Sequence, residues 1–219
     1  MGKILTTVGF ERHSKDGELL EYREQPSRSW LKHFFDLWYI LAGYNSNTLA
    51  GILDISATAR TLDKKAWGVQ NLAVASPAGN SLHNLAEGGN GSAVFPTVKW
   101  LGKDYGIIVG TNNTAVTPTD NTLVARVNNG HAAGELEYGG TEVVLPTFVD
   151  PNGAMVIRRY CTNNSGGNIT IQECGIYSPG WISNTVVYMF CICRDVVGPA
   201  VVVADTEILV VTYTMQITV

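Results

Sequence analysis

The 219-residue chain is short of charge: Asp, Glu, Lys and Arg make up 16% of it, against about 25% in ordinary soluble domains. Its 15 basic residues are scattered rather than blocked, and the net charge is -4. That pattern argues against a dedicated nucleic-acid surface, so no direct nucleic-acid partner is expected. No apolar run reaches the roughly 18 residues of a membrane helix, so no membrane partner is expected. The opening "MGKILTTVGF" has no apolar core followed by a small-residue cleavage site, the mark of a secretory leader. Its "MGKILT" fits the myristoylation pattern formally, a short pattern that arises readily by chance.

Catalytic groupings are also scarce. The histidines, His13, His33, His83 and His131, form no HxH or HExxH pair, and no Ser sits in a G-x-S-x-G elbow. Glu135, Glu137 and Glu173 fall in expected strands, where a solvated face explains them better than a glycosidase pair does. Asp104, Asp120, Asp150, Asp195 and Asp205 fall at strand ends and turns without the alternation of a calcium loop. Only four cysteines occur, Cys161, Cys174, Cys191 and Cys193, with no second close pair to complete a zinc site. They read as buried thiols, with Cys191 and Cys193 on one face of a strand. The sequence therefore predicts no catalytic residues, no metal and no cofactor. Sequons at Asn90, Asn112, Asn163 and Asn168 carry little meaning without a leader.

What the chain has is glycine, threonine and valine in strand-like order. Residues 3–24 read as a hairpin turning at Asp16-Gly17. "SRSWLKHFFDLWYILAGY" is the one convincing helix, with Ser27 or Ser29 as its cap and Gly43 as its stop. Its aromatic face, with Trp30, Phe34, Trp38 and Leu41, is a candidate assembly surface. "GILDISATART" and "AWGVQNLAVAS" look like strands, and residues 76–96 form a long loop suited to partner contact.

From residue 105 the expected strands are 105–110, 122–127, 135–145, 154–162, 169–178, 185–194 and 207–219, punctuated by turns such as "DPNG", "NNSGGN", "SPGW" and "VVGPAVVVADT". "GIIVGTNNTAVTPTDN" has glycines but no lysine and no following helix, so it reads as a strand pair and its loop rather than a phosphate cradle. In "LVVTYTMQITV", Leu209, Val211, Tyr213, Met215 and Ile217 share one face opposite Thr212, Thr214, Gln216 and Thr218. This last strand is read as an open edge able to pair with a neighbouring chain. The expected fold is an all-β antiparallel sandwich, with a jelly roll as one form of it, carrying an N-terminal hairpin and one amphipathic helix. The expected division is a hairpin-and-helix unit (1–44), an irregular β region (45–104) and a sandwich core (105–219). Trp67, Trp100, Tyr177 and Trp181 fall near expected turns, where they could form an aromatic platform for a host glycan or instead plug the sandwich ends.

Several stretches together, "GIIVGTNNTAVTPTDNTLVARV", "GELEYGG", "AMVIRRYCTNNSGGNITIQECGIYS" and "CRDVVGPAVVVADTEILVVTYTMQITV", resemble virion proteins of tailed bacteriophages. "SRSWLKHFFDLWY" after the hairpin is similar to that type as well. The resemblance spans about two-thirds of the chain and leaves 45–100 unmatched; the cysteines depart from it. It implies a non-enzymatic, homo-oligomeric component of the virion, in a tail, baseplate or capsid-associated assembly with other virion proteins. A host-receptor or carbohydrate-binding module and a jelly-roll capsid subunit are the alternatives.

Overall fold

A computed structural model describes residues 3–42, 48–63, 99–100, 104–183 and 186–218. Its elements are β1 (Lys3–His13), β2 (Leu19–Pro26), α1 (Lys32–Ala42), β3 (Thr48–Leu53), β4 (Ala59–Asp63), β5 (Lys99–Trp100), β6 (Gly106–Gly110), β7 (Glu137–Val149), β8 (Asn152–Thr162), β9 (Ile169–Ser183), β10 (Val186–Val203) and β11 (Ile208–Thr218). The named strands pair antiparallel throughout, so the described residues form an all-β fold with one short helix.

A six-stranded sheet runs β2-β1-β11-β8-β7-β5, and a three-stranded sheet runs β10-β9-β6. The β3-β4 hairpin stands as a third, small sheet, so "GILDISATART" folds as a turn and two strands rather than one. The N-terminal hairpin forms as expected. Ser14 Oγ accepts the amides of Asp16 and Glu18, and Gly17 takes the positive φ of 86° that the turn requires. This hairpin is no separate unit: β1 pairs with β11 along its whole length, from Lys3↔Thr218 to His13↔Ile208.

That pairing corrects the reading of the last strand. β11 has β1 on one side and β8 on the other, so it lies inside the sheet and offers no edge to a neighbour. The expected facing holds, however. Leu209, Val211 and Tyr213 are fully or almost fully buried, while the Thr side is only half-covered.

Three other readings change. Residues 122–127 are no strand; only Arg126 bridges to Gly110, because the amides of Val124 and Ala125 go to the Glu173 carboxylate instead of a ladder. "SPGW" lies within β9, where Pro179 is tolerated because β6 pairs with β9 only as far as Tyr177. "VVGPAVVV" belongs to β10, with a register shift between Val196 and Val201 that accommodates Gly198-Pro199. The helix begins at Lys32, whose amide bonds to the Pro118 carbonyl, while Ser27 donates to Asp195, so neither serine caps it. Gly43, "AWGVQNLAVAS" and the loop at 76–96 lie outside the described residues.

One buried cluster draws on both larger sheets, including Val8, Phe10, Ile157 and Val211 from the first and Ile107, Val109, Ile176 and Phe190 from the second. Side chains of the first sheet also bond directly to the second. Tyr138 Oη donates to the Val127 carbonyl and accepts the Val109 amide. Arg159, fully buried, donates to the carbonyls of Tyr105, Ile107 and Gly139 and lies over the Tyr138 ring.

Candidate assembly surface

Two carboxylates lie deep in the three-stranded sheet, on opposite faces of it. Glu173, read from the sequence as solvated, is 0% exposed. It accepts Arg194 Nε at 2.9 Å and the backbone amides of Val124 and Ala125 at 3.1 and 2.7 Å. Arg194 spends its other nitrogens on Asp120 (2.6 Å) and the Thr114 carbonyl (2.9 Å). Asp120 is held below the usual carboxylate range: burial raises it, but hydrogen bonds from Thr117 and Arg194 outweigh burial. The residue types are those of a hydrolytic pair, but every partner ties the 111–127 segment to the sheet. At Gly110 an added Cβ would come within 2.6 Å of the Ala125 carbonyl and of Glu173, so the segment packs directly on glycine backbone.

The second carboxylate, Asp195, faces the six-stranded sheet. It accepts Ser27 Oγ (2.7 Å), Tyr213 Oη (3.2 Å), Cys193 Sγ (3.4 Å) and the Arg28 amide (3.2 Å). Four donors replace the water it lost. Asp195 thereby fastens β10 to β11 and to the segment leading into the helix.

All four cysteines are buried, as expected, and they are free. Cys191 and Cys193 do not share a face, however. Cys191 opposes Tyr177 and Cys193 opposes Ile176, so a bulge at Ile192 turns them to opposite sides of the sheet. Burial pushes the Cys161 thiol up to about 12 and also raises those of Cys174, Cys191 and Cys193 well above the ordinary thiol value. These are poor nucleophiles at neutral pH. Among the described residues, no three His, Cys, Asp or Glu side chains are grouped to hold a metal.

The sites read from the sequence divide unevenly. Tyr177 is fully buried and its hydroxyl engages Thr122 and the Leu123 amide, so it belongs to the core and not to a glycan platform. Trp67 and the side chains of Trp100, Trp181, Trp38 and Leu41 lie outside the described residues. Trp30 and Phe34, with ring centroids 4.5 Å apart, pack against the chain's own core. Among the described aromatic side chains of the helix, Phe35 and Tyr39 face outward, one turn apart and more than half exposed. His33 is buried, as read, with Nδ1–H donating to the Cys191 carbonyl at 3.2 Å.

The surface that stands out is one end of the six-stranded sheet. Its core-side face can be traced row by row across β1, β11, β8 and β7. Val8, Tyr213 and Ile157 form a buried row. Thr6, Met215 and Met155 form the next, half-covered. Ile4, Ile217, Gly153 and Phe148 form the last, where Ile4 is 75%, Ile217 43% and Phe148 74% exposed. Gly153 leaves room for the Phe148 ring, which a Cβ there would meet at 2.7 Å. On the opposite face of the same end, Leu5 and Val149 are also exposed. The apolar stripe that makes the core thus continues past the point where the described residues cover it. Sequence reasoning named Ile217 but missed Ile4 and Phe148, because their alignment depends on pairing between the two ends of the chain.

Compared with known proteins, no family model matches the chain, no curated protein matches it, and no solved structure matches its fold.

Proposed function

We propose that this chain is a non-enzymatic structural subunit of a tailed-bacteriophage virion, built into a tail, baseplate or capsid-associated assembly through contacts with copies of itself and with other virion proteins. The observation that supports this reading best is the exposed apolar end of the six-stranded sheet, with Ile4, Phe148 and Ile217 exposed together on one face. Grouped apolar side chains at the surface mark interaction sites. The buried carboxylates agree with it, since the partners of Glu173 and Asp195 serve to hold segments together. The sheets are read as the two layers of a β-sandwich, on the strength of the bonds that Tyr138, Arg159 and Tyr213 make from one sheet to the other.

The test is negative-stain imaging of the purified full chain. Rings, tubes or shells of one repeating unit support the reading, and their symmetry separates tail from capsid. Featureless single copies at high concentration refute it.

A further inference from the structure

The six-stranded sheet ends, on the side of the N-terminal hairpin, at β2, and among the described residues no strand pairs with the outer edge of β2. An unpaired edge is a template for strand addition unless something blocks it. The direction of its backbone groups is set by the register. The Ser27 amide bonds to the Thr6 carbonyl, so position 27 is a hydrogen-bonded position toward β1. Antiparallel alternation then turns Gln25, Arg23 and Glu21 toward β1 and leaves the amides and carbonyls of Glu24 and Tyr22 on the open edge. Pro26 comes next on the open side without an N–H, which limits the length of any added ladder.

We propose that β2 pairs antiparallel with β2 of a second copy across a two-fold axis at Tyr22, joining two six-stranded sheets into one continuous sheet. The strand is complementary in charge to a second copy of itself. With Tyr22 opposite Tyr22 of the second copy, Glu21 of each chain stands opposite Arg23 of the other. Those two pairs fall at the non-hydrogen-bonded positions, where opposing side chains are nearest. Tyr22 and Glu24 supply the ladder bonds that their edge position leaves open. No other two-fold centre within Glu21–Glu24 sets these opposite charges against one another: centring on Arg23 opposes arginine to arginine, and centring on Glu21 opposes glutamate to glutamate.

The side chains are prepared for such a partner. Arg23 lies over the Phe10 ring at 5.5 Å, and its Nε and Nη2 are buried with no hydrogen-bond partner among the described residues. A buried guanidinium nitrogen without an acceptor is costly, and a carboxylate opposite Arg23 supplies one once the Arg23 side chain turns out toward the edge. Glu21 is held in place by Arg12 at 3.4 Å while remaining 40% exposed. Tyr22 is 58% exposed, and Leu19 and Leu20 beside it are 54% and 44% exposed. The two-fold pairing covers this row on both copies.

The β2 contact adds the geometry of one interface to the assembling subunit proposed above and rests on that reading's claim that copies associate. The test uses the full chain with Tyr22→Cys. A hydrogen-bonded antiparallel pair holds its Cα atoms about 5.5 Å apart, within the range a disulfide spans. The four native thiols are buried and do not compete. Under mild oxidation, Tyr22→Cys is expected to form a covalent dimer at least tenfold faster than Lys15→Cys, placed in the neighbouring turn. In the Tyr22→Cys background, Glu21→Arg or Arg23→Glu alone is expected to slow the cross-link roughly tenfold, since each sets like charges opposite one another twice. Mixing those two variants restores it, because every opposed pair is then of opposite sign. Equal rates for Tyr22→Cys and Lys15→Cys overturn the proposal, and so do charge variants that stay folded and cross-link as before. If a charge variant fails to fold, the comparison of Tyr22→Cys with Lys15→Cys still decides. Large assemblies without this cross-link leave the structural-subunit reading standing and remove the β2 contact. The cross-link in a protein that forms only dimers does the reverse.

Discussion

Replacing Arg194 with methionine removes the only cation bonded to the Glu173 side chain among the described residues while keeping most of the buried volume. Arg194 and Glu173 are 1% and 0% exposed, so water does not reach the carboxylate that is left behind. Three contacts of Arg194 vanish together: Glu173, Asp120 and the Thr114 carbonyl. Glu173 keeps the amides of Val124 and Ala125, which soften the loss without neutralising the charge. Breaking a buried ion pair on one side costs about 3–5 kcal/mol. With an m-value of about 2 kcal/mol/M, the urea midpoint falls by roughly 1.5–2.5 M. Unfolding monitored by tryptophan fluorescence reads this directly. Glu173→Leu combined with Arg194→Met is expected to cost less than the two single losses added, by about 1–3 kcal/mol, because residues in one network do not act independently. A loss below about 1 kcal/mol for Arg194→Met, or strict additivity, would refute the claim that this pair clamps the 111–127 segment to the sheet.

His33 gives stability a pH dependence of definite sign. Burial holds its folded pKa below the ordinary 6.5, against the opposing effects of the Cys191 carbonyl and Asp36. The unfolded chain therefore binds the proton more tightly, and stability falls as pH drops below 6.5 toward the folded value. His33→Gln, which keeps a donor for Cys191, should flatten the urea midpoint across that window; an unchanged slope would assign it elsewhere. The four thiols should resist a thiol reagent at neutral pH in the native state and react together on unfolding, and a native thiol reacting at the rate of free cysteine would contradict their burial.

Much of the sheet was legible because the cues are local. Asp16-Gly17, "DPNG" and "NNSGGN" mark turns by their own chemistry, and the alternation in β11 announces a two-faced strand. Its place inside the sheet was not legible, since its partner β1 lies at the other end of the chain. The same non-local pairing hid the row of Ile4, Ile217 and Phe148. Glu173 was misjudged for a related reason: strand period tells which residues share a face, but not that residues 111–127 cover it. The bulge at Ile192 defeated the simple count that set Cys191 beside Cys193, because one inserted residue reverses the facing of the strand beyond it. Thr122 to Val127 has a strand's composition, yet a buried carboxylate takes two of its amides.

The exposed apolar end of the six-stranded sheet is proposed to hold copies together. That role is tested most directly by the light-scattering mass of the full chain and of a variant carrying Ile4→Ser and Phe148→Ser. Both side chains are about three-quarters exposed, so the substitutions should leave the folded subunit's own stability nearly unchanged. A discrete multiple of 23.7 kDa is expected for the natural chain and a smaller species for the variant at the same concentration. A mass of 23.7 kDa for the natural chain at every concentration, or equal masses for the two proteins, would contradict that role.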